Sequence, residues 1–256
     1  MIVIAAKQFA QFEQCTEDNF AKAETEHLAH YDPPLAVSAG RGGLEAAAHL
    51  GVHTARRCGW TQGPQIRLFL ELMTSFGSRF DSDPMYAWLH PFLDPSSDLP
   101  ALERSRLLWW HATRYMAQAF GENGLHVIVA GEHASRLDLA MLSKVGQDFA
   151  VSGPALLLRL HPERNAFFTA AAARALLERS TGEAKRLQLG GLAAQPLLMC
   201  LMFNFGHGVA DDPLYPGMRQ ALSQPGLDPE GRTSALYASA HALLAQMLNP
   251  IRNARR

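Results

Sequence analysis

Two aspartates in the stretch FGSRFDSDPMYAWL, residues 76 to 89, have the types and spacing for chemistry. Asp81 and Asp83 could share a hard cation with neighbouring serine oxygens, because such ions take clustered carboxylate and hydroxyl ligands. A competing account needs no ion: an Asp immediately before Pro caps a helix N-terminus, and the proline fills a position whose missing N–H costs nothing. ADDP at 210 to 213 repeats Asp-Pro as Asp212 and Pro213 but carries Ala210 where the first stretch has Asp81. Capping is therefore the expected role of Asp83 and Asp212.

Other chemistries find little footing. Eleven histidines are present, but His27/His30 and His126/His133 do not form HExxH or a comparable ligand pattern, so no metal site is expected. Gly-x-Ser-x-Gly is absent, which removes the signature of a strand-to-helix nucleophile. SAGRGG (38–43) and QLGGL (188–192) lack a phosphate-loop lysine and read as interhelical turns. Cys15, Cys58 and Cys200 are odd in number and widely spaced, as buried thiols in a reducing compartment would be. No catalytic residue and no cofactor is expected. The surviving enzymatic alternative is a helical enzyme drawing carboxylates from Asp81, Asp83, Asp211 and Asp212.

The elements that would hold these residues read as helices. The 256-residue chain is 48% hydrophobic and 18% charged, and its Ala- and Leu-rich runs favour helix. Phe9, Phe12, Thr16, Phe20, Ala23 and His27 would share one face of a helix from about 5 to 30, which DPP at 32–34 should stop. Further helices are expected over about 42–58, 64–76 and 100–120, with a short one after Pro84. IVI near the start and VIVA at 127–130 are expected to be short extended lead-ins. A net charge of −1 argues against direct nucleic-acid binding, and no apolar run is long enough for a membrane span. With no secretory leader read at the start, a soluble cytoplasmic protein is expected.

Most informative is an internal echo. Shifting residues 72–93 by 129 pairs Leu72, Met73, Phe76, Gly77, Asp83, Pro84, Tyr86 and Leu93 with identical residues at Leu201, Met202, Phe205, Gly206, Asp212, Pro213, Tyr215 and Leu222. Eight identities in 22 positions compare with about one or two expected by chance. AHYDP also lies over RLHPE, and LLWWHATRYMAQAF (107–120) over ALYASAHALLAQML (235–248). The expected fold is all-α: two tandem copies of a module of about five helices, pseudo-two-fold related. The copies would span 1–122 and 123–249, followed by a basic tail at 250–256.

The pattern LELMTSFGSRFDSDPMYAW, with LMFNFGHGVADDPLYP as its second form, resembles a family of small helical bacterial proteins encoded beside type VI secretion effectors. That resemblance implies a non-enzymatic partner of a secreted toxin: a cytoplasmic immunity protein neutralising a co-encoded, nuclease-like toxin, or alternatively an adaptor that loads an effector. Two features could serve such a partner. Glu13, Glu17 and Glu24 form an acidic stripe on the first helix, a steering surface for a basic protein unless it is simply a solvated face. Trp109, Trp110 and Tyr115 cannot all share one helix face, so one of the tryptophans should sit at a seam, either between copies or on an outer binding surface, with core packing the competing fate.

Overall fold

Asp32 determines how the first two helices meet. In the computed structural model, which describes residues 6–254 and side chains over 18–249, its Oδ1 accepts the Leu35 N–H at 3.0 Å and opens a helix at Pro33. DPP therefore ends α1 (Ala6–Tyr31) and starts α2 (Pro33–Arg57) within one residue, earlier than the expected 42. Gly40, at φ 65° and ψ 169°, breaks α2 internally, so the Gly-rich SAGRGG kinks a helix and does not form a separate loop. The chain continues through α3 (Gly63–Phe76), a one-turn α4 (His90–Leu93) and α5 (Ala101–Ala119). It then forms α6 (Leu125–Ala134), α7 (Leu139–Gln147), α8 (Phe149–Leu160) and α9 (Ala170–Arg186). The last elements are α10 (Ala194–Phe205), α11 (Pro216–Leu222) and α12 (Pro229–Ala254). Short 3₁₀ turns occupy Phe80–Ser82, Pro84–Leu89, Glu122–Gly124 and Pro162–Arg164. The described residues contain no strand, and no helix among them is long and apolar enough to cross a membrane.

VIVA lies inside α6 and is helical, because a short apolar run without a sheet to join can satisfy its backbone within a helix, while IVI lies outside the described residues. Among the described side chains of α1 the buried ones are Ala21, Glu24, Thr25 and Leu28, while Ala23 is exposed and Phe20 and His27 are half-buried. The core-facing stripe is thus rotated from the one anticipated, because Glu24 is drawn inward by Arg67. The side chains of Phe9, Phe12 and Thr16 lie outside those described. The expected boundary at 122/123 falls in the Glu122–Gly124 turn, whereas the one at 249/250 falls inside α12.

At the centre, α10 is buried nearly all round, from Pro196 through Phe203 and again at Phe205. The C-terminal ends of α3 and α10 meet there. Gly77 (φ 93°) ends α3 and Gly206 (φ 89°) ends α10, and the two turns touch backbone to backbone. A Cβ on Gly77 would stand 2.5 Å from the Phe205 carbonyl oxygen, and one on Gly206 would stand 2.7 Å from that of Phe76. Only glycine fits, for both the left-handed φ and the approach.

The two Asp-Pro aspartates bind this contact. Asp83 Oδ1 accepts the Met85 N–H at 2.9 Å and caps its own turn, while Oδ2 accepts the His207 N–H at 2.8 Å. Asp212 does the same in reverse, accepting Leu214 N–H at 2.9 Å through Oδ1 and Ser78 N–H at 2.9 Å through Oδ2. Both carboxylates are buried. Burial raises the Asp212 carboxyl above the usual range, and the N–H groups of Ser78 and Leu214 oppose the shift. The anticipated capping is present at Asp83 and, as a cap on an irregular turn, at Asp212. Unforeseen was that each carboxylate reaches across to the opposite turn.

Aromatic rings close the corner. Phe76 packs on Tyr86 with centroids 4.7 Å apart, and Phe205 on Tyr215 at 5.0 Å. Tyr115 meets Phe167 at 4.8 Å, and the buried Arg164 guanidinium lies 5.6 Å from the Phe120 ring and 4.9 Å from that of Phe203. It donates to the Phe203 carbonyl. A buried cation is tolerable there because ring faces and a carbonyl replace part of its hydration. His161 is also buried, and its Nε2 lies 2.7 Å from the Ala119 carbonyl oxygen, fixing that nitrogen as the donor.

Two outcomes are expected by chemical denaturation. Gly77→Ala or Gly206→Ala should cost at least about 3 kcal/mol through steric conflict and a strained φ, and Asp83→Ala or Asp212→Ala about the same by orphaning two buried N–H donors. A loss below about 1 kcal/mol would remove the contact from its central role. A pH effect follows from His161, whose imidazole is pushed down to about 4 by burial, aided by Arg164. The unfolded chain takes up that proton near pH 6.5 and the folded chain only near 4, so stability is full above about 6.5 and falls as pH drops toward 4. Replacing His161 with Gln should flatten that limb of the stability profile.

Candidate protein-binding surface

Helix α5 is two-faced. Arg104, Ser105, Leu108, Ala112, Tyr115 and Ala119 form its buried stripe. Arg104 fastens this side, donating to the Cys58 carbonyl at 2.9 Å and the Phe92 carbonyl at 3.2 Å. The opposite face carries Leu102, Arg106, Trp109, Trp110 and Arg114, all exposed.

Trp109 and Trp110 are 56% and 50% exposed, and Leu102 and Leu99 at the head of the helix are 57% and 43% exposed. Core packing, the competing expectation, claims neither tryptophan, because Leu108 and Ala112 occupy the inward positions and the intervening arc faces solvent. The Trp110 ring is held in place: the Arg114 guanidinium lies 5.7 Å from its centroid and His111 meets it edge-on at 4.7 Å. His111 in turn stacks on Phe92 at 4.9 Å. Indoles on a fixed helix offer large contact area with little ordering cost, which suits a protein interface.

The acidic stripe is not assembled as anticipated. Glu24 is buried, and Arg67 donates to its two oxygens at 2.7 and 3.0 Å. Its charge is spent on an internal pair and cannot steer a partner. Glu13 and Glu17 lie outside the described side chains.

Nor do the four aspartates of the enzymatic alternative converge. Asp83 and Asp212 are buried with both oxygens occupied by backbone donors. Asp81 faces a cleft with Arg57, Ser82, His90 and Asp94, its carboxyl raised by burial. Asp211 faces a separate cleft with Arg186, Arg219, Ser223 and Arg232. Position by position, 57, 82, 90 and 94 of the first cleft plus 129 give 186, 211, 219 and 223 of the second. These clefts have no local signature in the sequence beyond the recurrence of Arg57 and Arg186 at the same spacing as the motif. Cys58 and Cys200 are buried and free as expected, pushed up by burial to about 11 and about 12, while Cys15 lies outside the described side chains. Among the described residues no group of three or more His, Cys, Asp or Glu side chains is placed to hold a metal.

Comparison with protein-family models, curated proteins and solved structures finds no match to this chain.

Trp109→Ala with Trp110→Ala should leave the melting temperature within about 2 °C of the parent, since surface truncations seldom unfold a domain. A drop of several degrees in a thermal scan would reassign the pair to packing.

Proposed function

We propose that this chain is a non-enzymatic protein-binding protein, and that the exposed tryptophan pair on α5 is its principal contact. The observation that carries this reading is that two adjacent indoles stand in solvent on a helix whose other face is pinned by Arg104. A soluble domain gains nothing in stability from such exposure, whereas a partner that covers the pair gains a buried aromatic anchor. In line with the resemblance to proteins encoded beside type VI effectors, the partner is a co-encoded secreted toxin. The chain would then act in the cytoplasm as its immunity protein, covering the toxin's working groove or holding it inactive.

We further read the chain as two tandem copies of one helical module. The crossed bonds support it: Ser78 and His207, and Asp83 and Asp212, are each 129 apart and exchange equivalent hydrogen bonds. So does the recurrence of a cleft at positions separated by 129. A second functional reading, an adaptor that loads the effector for export, would use the same α5 surface.

Co-purification with the product of the adjacent gene, followed by calorimetry, tests the proposal. The double Trp109→Ala, Trp110→Ala variant should bind at least about 30-fold more weakly. Undiminished affinity would sink the assignment of the surface, and the absence of any stable complex would sink the immunity reading. Deleting the gene separates the two roles: loss of immunity stalls cells that keep the toxin, whereas loss of an adaptor only stops export.

A further inference from the structure

The turn after α10 lies beside α9, and between them runs a cleft of about 290 Å³ lined by Arg79, Arg179, Glu183, Arg186, His207 and Asp211. It shares Arg186 and Asp211 with the neighbouring cleft that holds Arg219 and Arg232. We propose that this joined, arginine-lined cleft is a binding site for a phosphate-type oxyanion. The protein-binding reading does not require it, and the site lies on different elements from the α5 surface.

Charge is the first support. Five guanidiniums face two carboxylates, and both carboxylates pair with Arg186: Glu183 Oε2 and Asp211 Oδ2 each sit 2.6 Å from its nitrogens. Held between them, Arg186 has a fixed orientation. Arg79, Arg179, Arg219 and Arg232 have no carboxylate within 4.0 Å among the described residues. Arg219 and Arg232 donate to the carbonyls of Asp211 and Leu222, contacts that anchor a side chain without cancelling its charge. The cleft therefore keeps a surplus of positive charge that the chain as a whole, at −1, does not share.

Local construction is the second support. Arg79 comes from the turn after α3 and reaches the cleft by lying across Gly208, where a Cβ would stand 2.7 Å from its Cδ. The absence of a side chain at 208 lets a guanidinium from one half of the chain stand beside Arg179 and Arg186 from the other. His207 is 3% exposed and lines the same cleft. Its buried Nδ1 has no hydrogen-bond partner, although Asp83 Oδ2 lies 3.2 Å away. That nitrogen faces a carboxylate, so the guanidinium forks of Arg79 and Arg179 beside the paired Arg186 are the donor set that a tetrahedral oxyanion satisfies. The concave shape favours a small phosphorylated compound over a flat acidic protein surface.

Isothermal titration of the full chain with sodium pyrophosphate, in buffer matched for ionic strength, tests the site. Saturable binding with a rise in melting temperature is expected. The variant Arg79→Ala with Arg179→Ala should abolish it, Arg79→Lys should weaken it about tenfold through loss of the planar fork, and Arg106→Ala with Arg114→Ala on α5 should leave it unchanged. No saturable heat at millimolar pyrophosphate would overturn the site. So would unaltered binding in Arg79→Ala with Arg179→Ala, or tighter binding of poly-glutamate than of pyrophosphate, which would make the cleft an interface for an acidic protein. None of these outcomes depends on the α5 partner.

Discussion

Two glycines in contact set the terms for the rest of this molecule. Where Gly77 and Gly206 meet, backbone approaches backbone more closely than any side chain would permit, so α3 and α10 must end in left-handed turns at that point. The turns then present N–H groups that no helix can satisfy, inside a region water does not reach. Asp83 and Asp212 answer that need, each dividing its two oxygens between its own turn and the opposite one. A carboxylate is costly to bury, but one that accepts two backbone donors at about 2.9 Å recovers much of its lost hydration.

From that contact the distribution of surface features follows. With α10 buried and the Phe76–Tyr86 and Phe205–Tyr215 corners closed, the inner face of α5 has enough to pack against through Leu108, Ala112 and Tyr115. Its outer face is left unclaimed, and the indoles occupy it. The same close approach brings the turns at 77–83 and 206–212 side by side, so a residue of one can complete a surface on the other. Arg79 lying across Gly208 is such a case. A duplication, on our reading, supplies two equivalent clefts, and substitutions such as His90 against Arg219 and Asp94 against Ser223 then let their charges diverge.

How much of this was legible varied with the range of the interaction. Caps were readable because Asp-Pro is a local device: a short side chain reaches an N–H two or three residues on. Helical class was readable from composition and spacing. The direction of α1 was misread by one stripe, because Glu24 looks like a solvent residue until Arg67, 43 positions later, comes within 2.7 Å. VIVA was misread because a four-residue apolar run carries no period of its own. The 100° step between neighbours shows that Trp109, Trp110 and Tyr115 cannot share one face, and Tyr115 is indeed buried, yet nothing local reveals that the arc containing both indoles faces solvent.

The sequence by itself determined that the chain is helical, where Asp-Pro turns interrupt it, and that Phe-Gly, Asp-Pro and Tyr recur at 129 residues. These depend on backbone propensity and on contacts within a few residues, which the order of side chains states directly. Only the tertiary structure decided that the recurring pieces clasp each other, that Asp83 and Asp212 serve opposite turns, that Glu24 is hidden while Trp109 and Trp110 are not, and that five arginines line two neighbouring clefts with Arg186 in common. These depend on which residues tens to more than a hundred positions apart meet, or fail to meet, and the Gly77–Gly206 contact fixes the crossed aspartates and the approach of Arg79 to the second half.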